Sequence, residues 1–217
     1  MRDHSRPSRR SFMSLLPWLT GVAALGTASS AAAQGSGASS QSFDLRWIDD
    51  LKGAHKQVFD MADAPPAGQP APLRLPRNYM DTFRDVMKLE PPAIRTIVGI
   101  SGTAFAVNCS DRLWEKYALG ERFKIIDPTT KAPATRNIFM DEPTLGVKAL
   151  QARGTIFWQC DIALATIAQG LATARSLPVA DVRADLTAGL NPGVKLVPSH
   201  VMALGLVQER GATYVKI

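Results

Sequence analysis

The sequence predicts an α/β domain: a mostly parallel five-stranded sheet in a three-layer α/β/α arrangement. Three observations predict it. Short apolar runs alternate along the chain with segments whose apolar residues recur every three or four positions. The run AIRTIVGIS (93–101) is almost continuously apolar, as a strand covered on both faces must be. Glycines at 53, 154 and 211 close helical segments. Strands and helices alternating in this way are joined by right-handed crossovers, which puts helices on both faces of a parallel sheet.

The elements follow in order. FDLRWIDDLKG (43–53) places Phe43, Trp47, Ile48 and Leu51 on one helical face, with Gly53 as a stop. HKQVFDMA (55–62) reads as the first strand, and the Pro-rich APPAGQPAP (64–72) as a connection. Tyr79, Met80, Phe83, Val86 and Met87 predict an amphipathic helix over 77–89 that ends at Pro91–Pro92. The second strand is 93–101. NCSDRLWEKYALG (108–120) is a helix that buries Leu113, Trp114 and Tyr117. Residues 121–143 show the least regularity, and a loop this long is a lid, a partner surface or a floppy insertion. TLGVKALQARG (144–154) is a short helix and TIFWQC (155–160) the third strand. Ala163, Leu164, Ile167, Ala168 and Leu171 mark the helix after it, and PVADVRADLTAGL (178–190) is another. VKLVPS (194–199) is the fourth strand. Ser199 can cap the helix HVMALGLVQERG (200–211). TYVKI (213–217) is the fifth strand.

The N-terminal region belongs to export rather than to the fold. SRRSFMS (8–14) carries paired arginines, a weakly apolar stretch follows, and AAAQ (31–34) offers small residues for cleavage after Ala33. The pattern resembles a twin-arginine signal, with Met13 and Ser14 in place of the motif's Leu and Lys. The expected organisation is a signal peptide over 1–33, a Gly/Ser linker over 34–42 and one domain over 43–217, in the periplasm. The full chain of 217 residues has a net charge of +6. Losing residues 1–33 removes four Arg and one Asp, which leaves +3 on 184 residues. That length supports one proper core. No basic run survives in the mature chain, so a nucleic-acid partner is not expected. No later segment is long and apolar enough to span a bilayer.

The chemistry-bearing residues are few. The mature chain has two cysteines, Cys109 and Cys160, and two histidines, His55 and His200. The histidines lack ligand spacing, so no metal site is expected. No Walker motif, Rossmann fingerprint, G-x-S-x-G or H-E-x-x-H appears, and no cofactor is expected. In a parallel sheet, ligands gather at the carboxyl ends of the strands. Three segments reach that edge: ISGTA, QCDIA and PSHVM. Cys160 stands where a strand meets a helix. There the unpaired N–H groups and the helix dipole favour the thiolate. The alternative is an inert buried cysteine. Asp161 either opposes the thiolate with its charge or caps the helix and points away. His200 opens the helix on the same sheet edge, either beside the thiol or as a surface residue. Ser101, Gly102 and Thr103 are candidates to offer N–H groups to an anion, or form only a tight turn. Cys109 and Cys160 pair only if the fold brings them together. Trp47, Trp114 and Trp158 read as core.

ALQARGTIFWQCDIAL and NPGVKLVPSHVMALGLVQERGATYVKI resemble the DsrE/DsrF-like family, in which a strand ends in a cysteine and the chain closes with a PGV-x-LVP strand, a helix and a short strand. HKQVFDMA and TIVGISG fit that family's first two strands, so the likeness spans roughly 53–217. It implies a three-layer α/β/α domain that assembles into trimers or hexamers. In the sulfur-relay members a cysteine carries a persulfide, and Cys160 matches that position. The implied partners are further copies of the chain and a sulfur donor or acceptor protein. Two functions follow. One is sulfur or redox handling through Cys160, with His200, Asp161 and the 101–103 turn forming the pocket. The other is a non-catalytic oligomeric module that binds a small ligand or partner through the 121–143 loop.

Overall fold

The computed structural model describes residues 42–65 and 71–217. The expected signal peptide (1–33) and all but the last residue of the linker lie outside the described residues.

Five strands form one sheet: β1 (His55–Met61), β2 (Ile94–Ile100), β3 (Ile156–Cys160), β4 (Lys195–Val197) and β5 (Ala212–Lys216). Their order is β4-β3-β2-β1-β5, and every neighbouring pair is parallel. The helices are α1 (Arg46–Asp49), α2 (Arg74–Met87), α3 (Asp111–Tyr117), α4 (Leu119–Arg122), α5 (Val147–Ala152), α6 (Asp161–Arg175), α7 (Val179–Ala188) and α8 (His200–Glu209). This is the α/β architecture that the alternating pattern predicts.

Two apolar clusters show the layers. Side chains alternate across a strand. Phe59, Val98 and Phe157 accordingly join one cluster, with Met80 of α2, Leu113 and Trp114 of α3, Leu164 and Ala168 of α6, and Leu186 of α7. Their sequence neighbours Val58, Ile97 and Trp158 join the other, with Ile48 of α1 and Ala203 and Val207 of α8. The connections from β1 through to β4 therefore stack on one face. The last connection, α8, carries the chain back across the opposite face to place β5 beside β1. The sheet reverses its direction of winding between β1 and β5, the kind of place where ligands gather in parallel sheets.

Several boundaries differ from the sequence expectation. α1 is a single turn, although Leu45, Trp47 and Leu51 around it still pack on the α8 face. α2 starts at Arg74 and stops at Met87. Lys88 turns left-handed (φ 59°) and donates its N–H to the Arg84 carbonyl at 3.1 Å, before the prolines are reached. Val86 and Met87, expected on the buried face, are exposed; Met80 carries that face, with Tyr79 and Phe83 partly buried against it. β4 covers only Lys195–Val197 of the expected 194–199.

The 121–143 segment is not a floppy insertion. Ile125, Ala134 and Phe139 are buried in the larger cluster. Asn137 holds the segment to the exit of β2: its Nδ2 donates to the carbonyls of Val107 (2.9 Å) and Cys109 (2.6 Å). The backbone passes so close to Gly120 that an added Cβ would sit 2.0 Å from the Ala134 carbonyl oxygen.

Candidate functional site

Cys160 is the last residue of β3 and the N-cap of α6. β3 ends there because β4 offers partners only as far as Val197, opposite Cys160. The sulfur accepts the N–H of Ala163, in the first turn of α6, at 3.4 Å. It also accepts the N–H of His200, the first residue of α8, at 3.3 Å. First-turn amides have no carbonyl partner within their own helix. Two helices thus point unpaired donors and the positive ends of their dipoles at one sulfur atom. Cys160 is 4 % exposed and belongs to neither apolar cluster.

His200 meets Cys160 through its main chain. Its imidazole makes its hydrogen bonds elsewhere. Nδ1 accepts the indole N–H of Trp158 at 3.1 Å, so the ring proton sits on Nε2 and is donated to Asp60 Oδ1 at 2.7 Å. The second Asp60 oxygen accepts the Tyr214 hydroxyl at 2.7 Å. That bond, together with some desolvation, raises the Tyr214 phenol above its usual range. Both ring nitrogens of His200 are therefore engaged, and what it offers the thiol is an amide rather than a base.

Asp161 is not the cap, since Cys160 fills that place. Its Oδ2 reaches across to the Arg183 guanidinium of α7 at 2.6 Å, while its Oδ1 is buried without a hydrogen-bond partner among the described residues. The 101–103 turn bonds back to the exit of β1. The Ser101 N–H pairs with the Met61 carbonyl (3.1 Å), and the Thr103 hydroxyl accepts the Ala64 N–H (3.0 Å). Gly102 adopts φ 49°, and a Cβ there would meet the Ala62 carbonyl oxygen at 2.5 Å. The turn thus joins the exits of β1 and β2.

Cys109 is a different kind of residue. It is fully buried, donates its S–H to the Phe105 carbonyl at 3.2 Å, and burial pushes its thiol well above the usual range. The two cysteines are free, with no disulfide between them. His55, at the amino end of β1, stacks on Phe83 with ring centroids 4.6 Å apart. Trp114 and Trp158 are fully buried, and Trp47 lies half-buried 6.0 Å from Trp158. Among the described residues, no cluster of three or more His, Cys, Asp or Glu side chains is arranged to hold a metal. None of their helices is long and apolar enough to cross a membrane.

Sequence reasoning overlooked Asp60, Tyr214 and Gly99. Asp60 is the one acid within the first strand, and an acid in a buried strand signals a required partner. Gly99 interrupts the apolar second strand, which signals a close approach. The approach is that of Trp158: an added Cβ at position 99 would lie 2.3 Å from the indole. The indole crosses β2 there and reaches His200.

No family model matches the chain, and no curated protein matches it. Among solved structures, a protein of unknown function from Methanobacterium thermoautotrophicum is similar to it. The two are 16 % identical over 75 % of this chain and 99 % of the other, with a TM-score of 0.41.

Proposed function

We propose that the protein handles sulfur or redox equivalents through the Cys160 thiol, as an exported DsrE-like sulfur-relay protein acting in the periplasm. One observation carries this reading: two amide donors from two different helices converge on the Cys160 sulfur. Such donors suit a sulfur that bears negative charge. The step is a transfer of sulfane sulfur. The Cys160 thiolate attacks the outer sulfur of a donor persulfide, R–S–SH. A new S–S bond forms on Cys160, the donor's S–S bond breaks, and the donor leaves as R–S⁻. Nothing is oxidised or reduced overall, and the persulfide on Cys160 passes to an acceptor thiolate by the same exchange.

The competing reading is a non-catalytic oligomeric module. The small exposure of Cys160 favours it, as do the bare apolar side chains of Ile162 (61 % exposed) and Val201 (77 % exposed) next to the two donor amides. Native mass spectrometry and alkylation separate the two. The relay reading expects Cys160 to react with iodoacetamide in the folded protein, and to gain the mass of one sulfur atom from a persulfide donor. Inertness of both cysteines under native conditions would leave only the binding module.

A further inference from the structure

We infer that Asp60 is a positioning residue for the Cys160 thiol. It acts through the His200 ring, and the inference rests on the reading of Cys160 as the working sulfur. The argument begins with strand parity. Asp60, Gly99 and Cys160 lie near the carboxyl edge of three strands, and Tyr214 lies mid-strand on β5, level with Val58. By alternation from Val58, Ile97, Trp158 and Ala212, all four face the α8 side. The bare Cα of Gly99 lets the Trp158 indole lie across β2 and donate to His200 Nδ1. Asp60 takes the other ring nitrogen, and Tyr214 steadies Asp60 from the winding-reversal strand.

The ring is thereby gripped from opposite sides. Its own residue opens α8 and supplies one of the two amides on the sulfur. Ser199 occupies the N-cap of α8 but makes no side-chain capping bond, so the helix start is not fixed in the usual way. The imidazole does the fixing. A carboxylate on β1 thus sets where an amide at the head of α8 points.

The signs of the alternatives differ. Asp60 carries negative charge, and loss of a nearby negative charge by itself favours a thiolate. If charge were its whole influence, its removal would speed alkylation of Cys160. Positioning predicts the reverse. In Asp60→Ala, the Cys160 alkylation rate should fall about tenfold, the scale on which lost outer-shell partners act. Amide hydrogen exchange at His200, followed by NMR, should accelerate by a similar factor. Asp60→Asn keeps an acceptor for Nε2–H and should hold both quantities within about threefold of wild type. Asp60→Ser, which draws the acceptor back from the ring, replaces the alanine variant if that does not fold, with the same expectation. Unchanged His200 exchange in the alanine or serine variant overturns the inference, as does faster alkylation. If wild-type Cys160 itself does not alkylate, the relay reading fails, and the His200 exchange rates alone decide whether Asp60 positions α8.

Discussion

The two cysteines occupy similar places in the sequence and opposite places in the chemistry of the fold. Each lies between a central strand and the start of a helix: Cys160 ends β3, and Cys109 follows β2 after a 3-10 turn over Gly102–Asn108. Cys109 lies inside the larger apolar cluster and spends its S–H on a carbonyl. Cys160 lies outside both clusters and accepts two N–H groups. One sulfur is a hydrogen-bond donor, the other an acceptor. Burial raises the Cys109 thiol well above its usual range, which keeps it protonated. What separates the two is the supply of unpaired amides. Cys109 closes a seven-residue 3-10 turn (Gly102–Asn108), with its amide on the Ala106 carbonyl. Cys160 receives the heads of a 15-residue and a 10-residue helix.

The sharpest way to break this contrast is by selective labelling. Cys160→Ser should abolish native alkylation while Cys109→Ser leaves it intact. Cys109 should react about a hundredfold more slowly or less, because it is reached only through opening of the core. Peptide mapping after a timed iodoacetamide pulse reads both sites at once. Next in size is Gly99→Ala, which touches only the Cys160 side. The methyl group would collide with the Trp158 indole, and overpacking of this kind costs about 1–3 kcal/mol. Denaturant unfolding checks the loss, and an altered Trp emission should accompany it.

Acid should act on the other side. Asp185 of α7 is pulled down to about 2: burial raises it, but hydrogen bonds from Lys116, Tyr117 and Arg112 outweigh that. A carboxylate depressed in the folded state contributes stability that is full above the unfolded value near 4 and is lost as pH falls toward 2. The contribution is roughly 1–2 kcal/mol. Asp185 ties α7 to α3 beside Cys109, so Asp185→Asn should flatten the stability profile between pH 4 and 2 and leave Cys160 labelling at neutral pH unchanged. The smallest effect belongs to Tyr214→Phe. The lost hydrogen bond is exposed, and thermal unfolding should register only a slight fall in Tm.

The layers of the fold were legible because they depend on patterns that one segment carries by itself. The alternation of Val58 and Phe59, or of Phe157 and Trp158, is visible as a run of apolar residues that only a two-faced sheet can bury. Cys160 was legible for the same reason: a strand and a helix meet there within ten residues. The rest of the site was not. Asp60 and His200 are 140 positions apart, and no local signal says that a ring in α8 will bond to β1 instead of to the neighbouring sulfur. That choice follows from Gly99, whose missing side chain admits Trp158. The 121–143 segment misled for a related reason. Its order comes from one asparagine satisfying carbonyls some 30 positions earlier, which no periodicity records.

The placement of β5 next to β1 has a consequence for biogenesis. A carboxylate translated early and a hydroxyl translated late must meet before the imidazole is gripped, and 154 positions lie between them. A nascent chain still holding Lys216 in the ribosomal tunnel has its sulfur but not the frame that aims the second amide. Until the sheet closes, both thiols are ordinary solvated cysteines, and it is closure that buries Cys109 and sets Cys160 apart from it.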